Sequence, residues 1–254
     1  MEKITSMNNN RIVMYSKLNT KKYRDEYNLF LLENYKLVKE AIQRNEEIEA
    51  VIINESNMEK LKNIIELLNE KIIIVPENVF SKISDTVSSQ GIIAVIKKPD
   101  HMNISSCSGK ILVLDRVQDA GNVGTLLRSA SGFGFSTVIL IESADPYSPK
   151  VIRSSGGSIF NLNIIETTEK ELIREINKKN YALYTADMNG TNLYSINKFP
   201  ENMMVVIGNE GQGVSSALEE ASTDNIMIPM EQTLESLNAG VSGSIIMSYI
   251  HAKK

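Results

Sequence analysis

Apolar positions fall in two alternating blocks along the chain. In the first, Leu29–Leu32 form a short strand-like run, after which Leu37, Val38, Ala41 and Ile42 share one helical face with charges between them. Residues 49–54 (EAVIIN), 71–76 (KIIIVP) and 91–99 (GIIAVIKKP) read as strands. Between them, 58–70 (MEKLKNIIELLNE) and 79–87 (VFSKISDTV) read as helices. This alternation predicts a small α/β domain within residues 1–98. Pro99, Gly109 and the small polar residues between them mark 99–109 as a linker. The second block, 110–254, predicts strands at 110–115, 137–141, 161–165, 181–186, 203–208 and 225–229, with helical patterns between most of them. Runs such as ILVL, VIL and MVVI are apolar throughout, which suits a mostly parallel sheet covered on both faces.

Composition narrows the class. Apolar residues make up 42% and charged residues 23% of 254, enough for a globular protein with a real core. No apolar run approaches 18 residues and the start lacks a signal-peptide stretch, so no membrane partner and a cytoplasmic location are expected. The single Cys107 excludes an internal disulfide and a cysteine-based zinc site. A net charge of −4 speaks mildly against nucleic acid, yet the first 24 residues carry Lys3, Arg11, Lys17, Lys21, Lys22 and Arg24 against Glu2 alone. Tyr15, Tyr23, Tyr27 and Phe30 are interleaved with them, and packing accounts for most of these aromatics.

Three segments depart from ordinary packing. Asp115 to Arg128 (DRVQDAGNVGTLLR) follows a strand and opens a helix. Asn122 is a candidate cap, Gly121 and Gly124 permit close approach of a ligand or another backbone, and Gly132 or Gly134 can end the helix. Arg128 reads as a surface charge or a functional group. Val205 to Gly213 (VVIGNEGQG) runs a buried strand into a glycine-rich loop with an embedded carboxylate, where open α/β sheets bind ligands. Its spacing is neither G-x-G-x-x-G nor a phosphate-binding P-loop. Ile226 to Met230 (IMIPM) leads, through Ser236, Leu237 and Asn238, to a terminal helix rich in small residues, which Ser236 or Asn238 could cap.

In order and spacing these segments resemble the three signature motifs of the SpoU/TrmH family, in the SPOUT class of RNA ribose 2′-O-methyltransferases. RSSGGSIF (153–160) is similar to that family's small-residue helix. FLLENYKLVKEA and FSKISDTVSSQGIIAV resemble the family's substrate-binding domain, which is similar to an RNA-binding ribosomal-protein fold. The resemblance implies a trefoil knot in 110–254, S-adenosyl-L-methionine as cofactor, no metal, a homodimer, and RNA as substrate, ribosomal RNA ahead of transfer RNA. Alternatives are a non-catalytic RNA-binding factor of the same fold and a dinucleotide-dependent oxidoreductase; the latter lacks its glycine fingerprint. Carried over by motif position, Arg128 is the catalytic arginine, with Asn122, Glu210, Ser236 and Asn238 orienting it, the ribose and the cofactor. Thr185, Ala186, Ile207, Gly208, Asn209, Gly211, Ile228, Pro229, Met230 and Leu237 would hold the cofactor, Ile228 and Leu237 sandwiching the adenine. Lys17, Lys21, Lys22 and Arg24 are the candidate RNA contacts. An arginine normally stays protonated, so Arg128 is expected to bind the adjacent phosphate and assist loss of the hydroxyl proton. His101 and His251 lie outside all three motifs.

Overall fold

The computed structural model describes residues 1–86, 89–100, 102–231 and 236–253, the side chain of Asn69 aside; His101 lies outside the described residues. The chain divides into two compact units, one of residues 1–100 with 147–153, the other of 101–146 with 154–254. In the first unit the elements are β1 (Glu2–Lys3), α1 (Asn10–Lys17), α2 (Lys21–Tyr27), β2 (Leu29–Leu32), α3 (Tyr35–Gln43), β3 (Ile48–Asn54), α4 (Lys62–Leu67), β4 (Ile72–Val75), α5 (Glu77–Ile83) and β5 (Ile92–Lys97). Their sheet runs β1-β4-β3-β5-β2, with β5 antiparallel to both neighbours and the β1-β4 and β4-β3 pairs parallel.

The basic amino-terminal segment is folded rather than a loose arm. Ile12, Tyr15 and Leu18 recur at helical spacing, are fully buried, and pack with Ile52, Ile73, Phe80 and Ile93. The 58–70 segment is not one helix. Two 3₁₀ turns, Glu55–Asn57 and Glu59–Leu61, precede the short α4. Asn54 accepts from the Ser56 amide and hydroxyl, offering the backbone a local alternative to helix. Tyr147 to Arg153 belong to this unit although they follow the linker: the Tyr147 ring lies 5.1 Å from that of Phe30 and under the Lys98 ammonium at 4.9 Å. Arg153 pairs with Asp85 at 2.9 Å.

The second unit contains β6 (Lys110–Asp115), α6 (Ala120–Gly132), β7 (Thr137–Ile141), α7 (Pro149–Ser155, shared with the first unit), β8 (Asn163–Glu166), α8 (Glu169–Lys179), β9 (Ala182–Asn192), β10 (Met203–Ile207), α9 (Ser216–Glu220), β11 (Asp224–Met227) and α10 (Ala239–Ala252). Its six strands are ordered β11-β9-β10-β6-β7-β8 and every pairing is parallel. Side chains alternate across the sheet. Ile111, Val113, Ile139, Ile141, Met204 and Val206 pack against Leu172 and Ile176 of α8 and Leu218 of α9. In the other register, Ile207 lies against α10 at Gly243. β9 runs six residues beyond its predicted end and pairs with β11 through an irregularity at Asn225/Ile226.

From β11 at one edge of the sheet the chain returns to α10, which packs along α6. Small residues make this packing close. A Cβ at Gly243 would collide with Leu126 Cδ2 and sit 3.1 Å from Ile207 Cγ1. The Ser129 and Ser244 hydroxyls hydrogen-bond at 2.7 Å between the two helices. The small-residue face of α10 is thus already used within the chain. The knot expected from the resemblance would be closed by this return, and residues 232–235 on it lie outside the described residues.

Gly124 shows why the first motif needs glycine. A Cβ there would collide with Ser154 Oγ and Cβ and come within 3.0 Å of the Ser154 carbonyl carbon, so Ser154, side chain first and backbone behind it, fills the space. Alanine would gain about 1 kcal/mol of helix propensity. Overpacking costs about 1–3 kcal/mol, and this overlap, with the Ser154 backbone close behind its side chain, sits at the upper end. Gly124→Ala should therefore lose about 1–2 kcal/mol and lower the melting temperature by a few degrees, as thermal unfolding followed by circular dichroism would show.

Candidate cofactor and substrate site

A cavity of about 750 Å³ opens beyond the carboxyl ends of β10 and β11, against the bulged middle of β9. That size is typical of a small-molecule site. Its wall consists of Ala186, Asp187 and Met188 from β9, the turn Ile207 to Val214, Ile226, Ile228 and Met230 around β11, and Ser236 to Ala239 leading into α10. Glu219, Ser242 and Ile246 complete it. Of the ten residues expected to hold a cofactor, Ala186, Ile207, Gly208, Asn209, Gly211, Ile228, Met230 and Leu237 line the cavity. Thr185 and Pro229 do not. Thr185 is fully buried and its hydroxyl donates to Asn225 Oδ1 at 2.6 Å, joining β9 to β11.

The turn after β10 is a closed hairpin. Asn209 and Gly213 exchange backbone hydrogen bonds at 3.0 and 2.9 Å, and Asn209 Oδ1 accepts from the amides of Gly211 (2.9 Å) and Gln212 (3.0 Å). Glu210 projects from it toward the start of α6. Asn122 Nδ2 donates to Glu210 Oε1 at 2.9 Å, and the amides of Asp119 and Gln118 approach the same carboxylate at 3.4 and 3.5 Å. Burial alone would push the Glu210 carboxyl up. The Asn122 bond and the backbone amides outweigh it and hold its pKa below the ordinary value. The α6 cap is Asp119, which accepts from the Asn122 amide; the Asn122 side chain is thereby left for Glu210. Asn238 does cap α10, accepting from Val241 N at 3.2 Å, whereas Ser236 lines the cavity. A Cβ at Gly240 would sit 3.2 Å from Asn238 Oδ1 and 3.3 Å from Asn122 Oδ1, so the two amides face one gap.

Four of the five proposed catalytic residues therefore gather at the mouth of the cavity or one hydrogen bond from it. Arg128 does not. It is exposed on α6 with Nη1 beside Gly156, free of any ion pair among the described residues. Of the candidate RNA contacts, Lys17, Lys21 and Lys22 are exposed, Lys21 sharing Asp25 at 3.5 Å. Arg24 is only 3% exposed and donates to the Leu18 carbonyl at 2.6 Å, so it braces the α1–α2 turn instead of facing solvent. Asp187, Met188, Gln212 and Glu219 line the cavity without having been singled out in the sequence: β9 continues as a polar stretch with no strand alternation to signal it.

The lining tests which cofactor fits. It mixes apolar side chains (Ile207, Ile226, Ile228, Leu237) with the carboxylates of Asp187, Glu210 and Glu219, and contains no Lys or Arg. A phosphate-bearing nucleotide would meet repulsion and no compensating cation there. A nucleoside with a positive charge finds both an apolar slot and opposite charge. Among the described residues no group of three His, Cys, Asp or Glu is placed to hold a metal ion.

Residues 109–248 match the SpoU rRNA Methylase family, and residues 9–94 match the MRM3-like substrate binding domain. The chain belongs to the SpoU rRNA methylase family. It is 30% identical over 252 residues, 98% of this chain and 99% of the relative, to the 23S rRNA (guanosine(2553)-2′-O)-methyltransferase RlmP of Bacillus subtilis. A solved RNA 2′-O ribose methyltransferase superposes with a TM-score of 0.82 at 28% identity, covering 99% of this chain and 98% of that one. An AdoMet-bound rRNA methyltransferase from Sinorhizobium meliloti shares the fold, with a TM-score of 0.87 at 24% identity over 98% and 97% of the two chains.

The Glu210 carboxyl accepts these bonds most strongly when ionised. Because its pKa is lowered by folding, the stability it contributes is present above the ordinary range and lost as pH falls through the lowered value. Glu210→Gln should be less stable than the parent at neutral pH by on the order of 1 kcal/mol, a modest figure because the carboxylate is exposed. Thermal melts of both proteins as a function of pH should converge below pH 4.5. A stability gap that persisted unchanged into acid would contradict the tie to Asn122.

Proposed function

We propose that this protein transfers a methyl group from S-adenosyl-L-methionine to a ribose 2′-hydroxyl of large-subunit ribosomal RNA. The observation that carries the reading is the acidic and apolar cavity without a basic residue, rimmed by Glu210, Ser236 and Asn238 and joined through Glu210 to Asn122. Full-length similarity to a 23S rRNA 2′-O-methyltransferase supports the choice of RNA.

When bound, S-adenosylmethionine supplies an electrophilic methyl group. The chain must then bring a hydroxyl into line with it and help that hydroxyl lose its proton. The Gly208–Gly213 turn and Leu237 with Ile228 hold the nucleoside part. Asp187, Glu210 and Glu219 favour a cationic occupant. Asn122 and Asn238, facing one gap, are placed to hydrogen-bond a ribose. Arg128 lies outside the cavity and has no ion-pair partner among the described residues, so its part is to seize the phosphate next to the target nucleotide and lower the cost of an oxyanion beside it. In the first unit, the Lys17 and Lys22 ammoniums stand 5.1 and 5.6 Å from the Tyr23 ring centroid, and Tyr23 is stacked on Tyr27 at 6.2 Å. Cations around an aromatic face suit unpaired RNA. A homodimer, as the family resemblance implies, is part of the proposal and is read by analytical ultracentrifugation.

Purified protein with radiolabelled S-adenosylmethionine should label 23S rRNA from cells lacking the gene, and the label should survive alkali in a dinucleotide. The guanosine named for the Bacillus relative is the first position to inspect. Label confined to transfer RNA, or to alkali-sensitive products, would refute the substrate or the 2′-O chemistry respectively. Arg128→Ala should cut turnover at least about 100-fold, while cofactor affinity measured by calorimetry stays within about twofold, since Arg128 is absent from the cavity wall. Near-normal turnover would remove Arg128 from the reaction.

A further inference from the structure

Arg116 follows β6 directly and is one of few non-glycine residues with a positive φ, +57°. L-residues rarely adopt this left-handed region, and they do so where the surroundings over-determine it. The surroundings here are the cavity turn. The Arg116 carbonyl accepts from Asn209 Nδ2 at 2.8 Å, fixing the side chain that in turn holds the Gly211 and Gln212 amides. Its guanidinium binds both oxygens of the Asp115 carboxylate at 3.0 Å each, then reaches Gln212 Oε1 at 3.2 Å and the Gly213 carbonyl at 3.4 Å. Asp115 is 1% exposed and also accepts from the Ser215 amide at 2.7 Å. Two consecutive residues thus pin the turn at its entry (Asn209), tip (Gln212, Gly213) and exit (Ser215). The backbone kink at Arg116 is what allows its carbonyl and its side chain to address the same turn at once.

We infer that Arg116 is a positioning residue for the cofactor: by clamping residues 209–213 it presets the cavity wall in its binding shape. It need not touch the cofactor, since it is absent from the cavity lining. A rigid turn loses less freedom on binding, so the clamp's effect appears in affinity more than in turnover. The inference rests on the proposed methyltransferase reading only for the identity of the ligand.

The left-handed φ provides a way to separate folding from positioning. Arg116→Gly removes the guanidinium's part of the clamp and also relieves the backbone strain, whereas Arg116→Ala removes the same part and keeps the strain; the Asn209 bond to the carbonyl of residue 116 remains in both. Both variants leave the buried Asp115 carboxylate without its cation and should melt several degrees below the parent, the alanine variant lower than the strain-relieved glycine one. Both should bind S-adenosylmethionine about tenfold more weakly by calorimetry, and raise its KM by a like factor with kcat within about twofold. Arg116→Lys keeps a charge for Asp115 but not the fork, so it should recover only part of the affinity. Amide hydrogen exchange on the protein without cofactor gives an independent readout. The amides of Gly211, Gln212 and Gly213 should exchange at least about tenfold faster in the glycine variant. Parent-like affinity and exchange in a folded Arg116→Gly protein would overturn the inference. So would weakening that merely tracks the loss of folded protein. If the parent itself bound no S-adenosylmethionine, the methyltransferase reading would fail, and the exchange measurement would still decide the clamp.

Discussion

Everything at the site depends on how β10 pairs with β6. The parallel register Met203↔Lys110 to Ile207↔Leu114 ends both strands at the same level. Asp115 and Arg116 then emerge beside Gly208 and Asn209. Parallel strands force this arrangement, because all of them deliver their following loops to one edge of the sheet. The apolar faces of β6 and β10 are fully buried, so a slip in register would expose core side chains and is strongly disfavoured. Packing energy in the middle of the sheet thereby sets the positions of polar groups at its rim to within hydrogen-bonding tolerance.

A second constraint acts on the other side of the cavity. α10 must come close enough to α6 for Asn238 and Asn122 to face one gap. Ordinary helix pairs lie 8–10 Å apart, and bulky residues at 240 or 243 would hold the helices off. The glycines there, and the Ser129–Ser244 bond, permit the approach. Small residues at this interface are thus functional through geometry, not through any chemistry of their own. It follows that a motif can be rich in glycine without a glycine touching the ligand.

Much of the fold is legible in the order of residues. Continuous apolar runs marked the second sheet, and five of its six strand starts fell within one residue of their predicted positions, because a strand buried on both faces leaves an unbroken signal. What escaped had weaker physics behind it locally. The extension of β9 through Met188 and Asn189 is polar and exists by pairing with β11 across an irregular register, a tertiary cause. The 58–70 helix lost its first turns to side-chain hydrogen bonds from Asn54. Helical spacing at Ile12, Tyr15 and Leu18 is present in the sequence but overshadowed by the basic residues of the segment, Arg11 and Lys17 among them. At the site, Glu210 stands out as a carboxylate embedded in a glycine-rich loop, whereas Asn122 reads as a helix cap and takes its role from the family resemblance. Arg116 does not stand out, since neither its φ nor its reach to Gln212 leaves a trace in residue order. Arg24 was misjudged for the converse reason: a cation in a basic cluster looks solvated until its burial is known.

Net charge misled in an instructive way. At −4 the chain looks ill suited to a polyanion. Its charges are segregated by task, however. Carboxylates line the cavity, where Asp187, Glu210 and Glu219 lie without a cation among them, while Lys17, Lys21 and Lys22 are exposed on the amino-terminal helices. A cationic methyl donor and an RNA backbone make opposite demands, and one uniformly basic surface could not meet both. By Coulomb's law an acidic lining favours a cationic donor over the neutral thioether that transfer would leave, so carboxylates suited to recruiting the donor also suit exchange of product for fresh reactant.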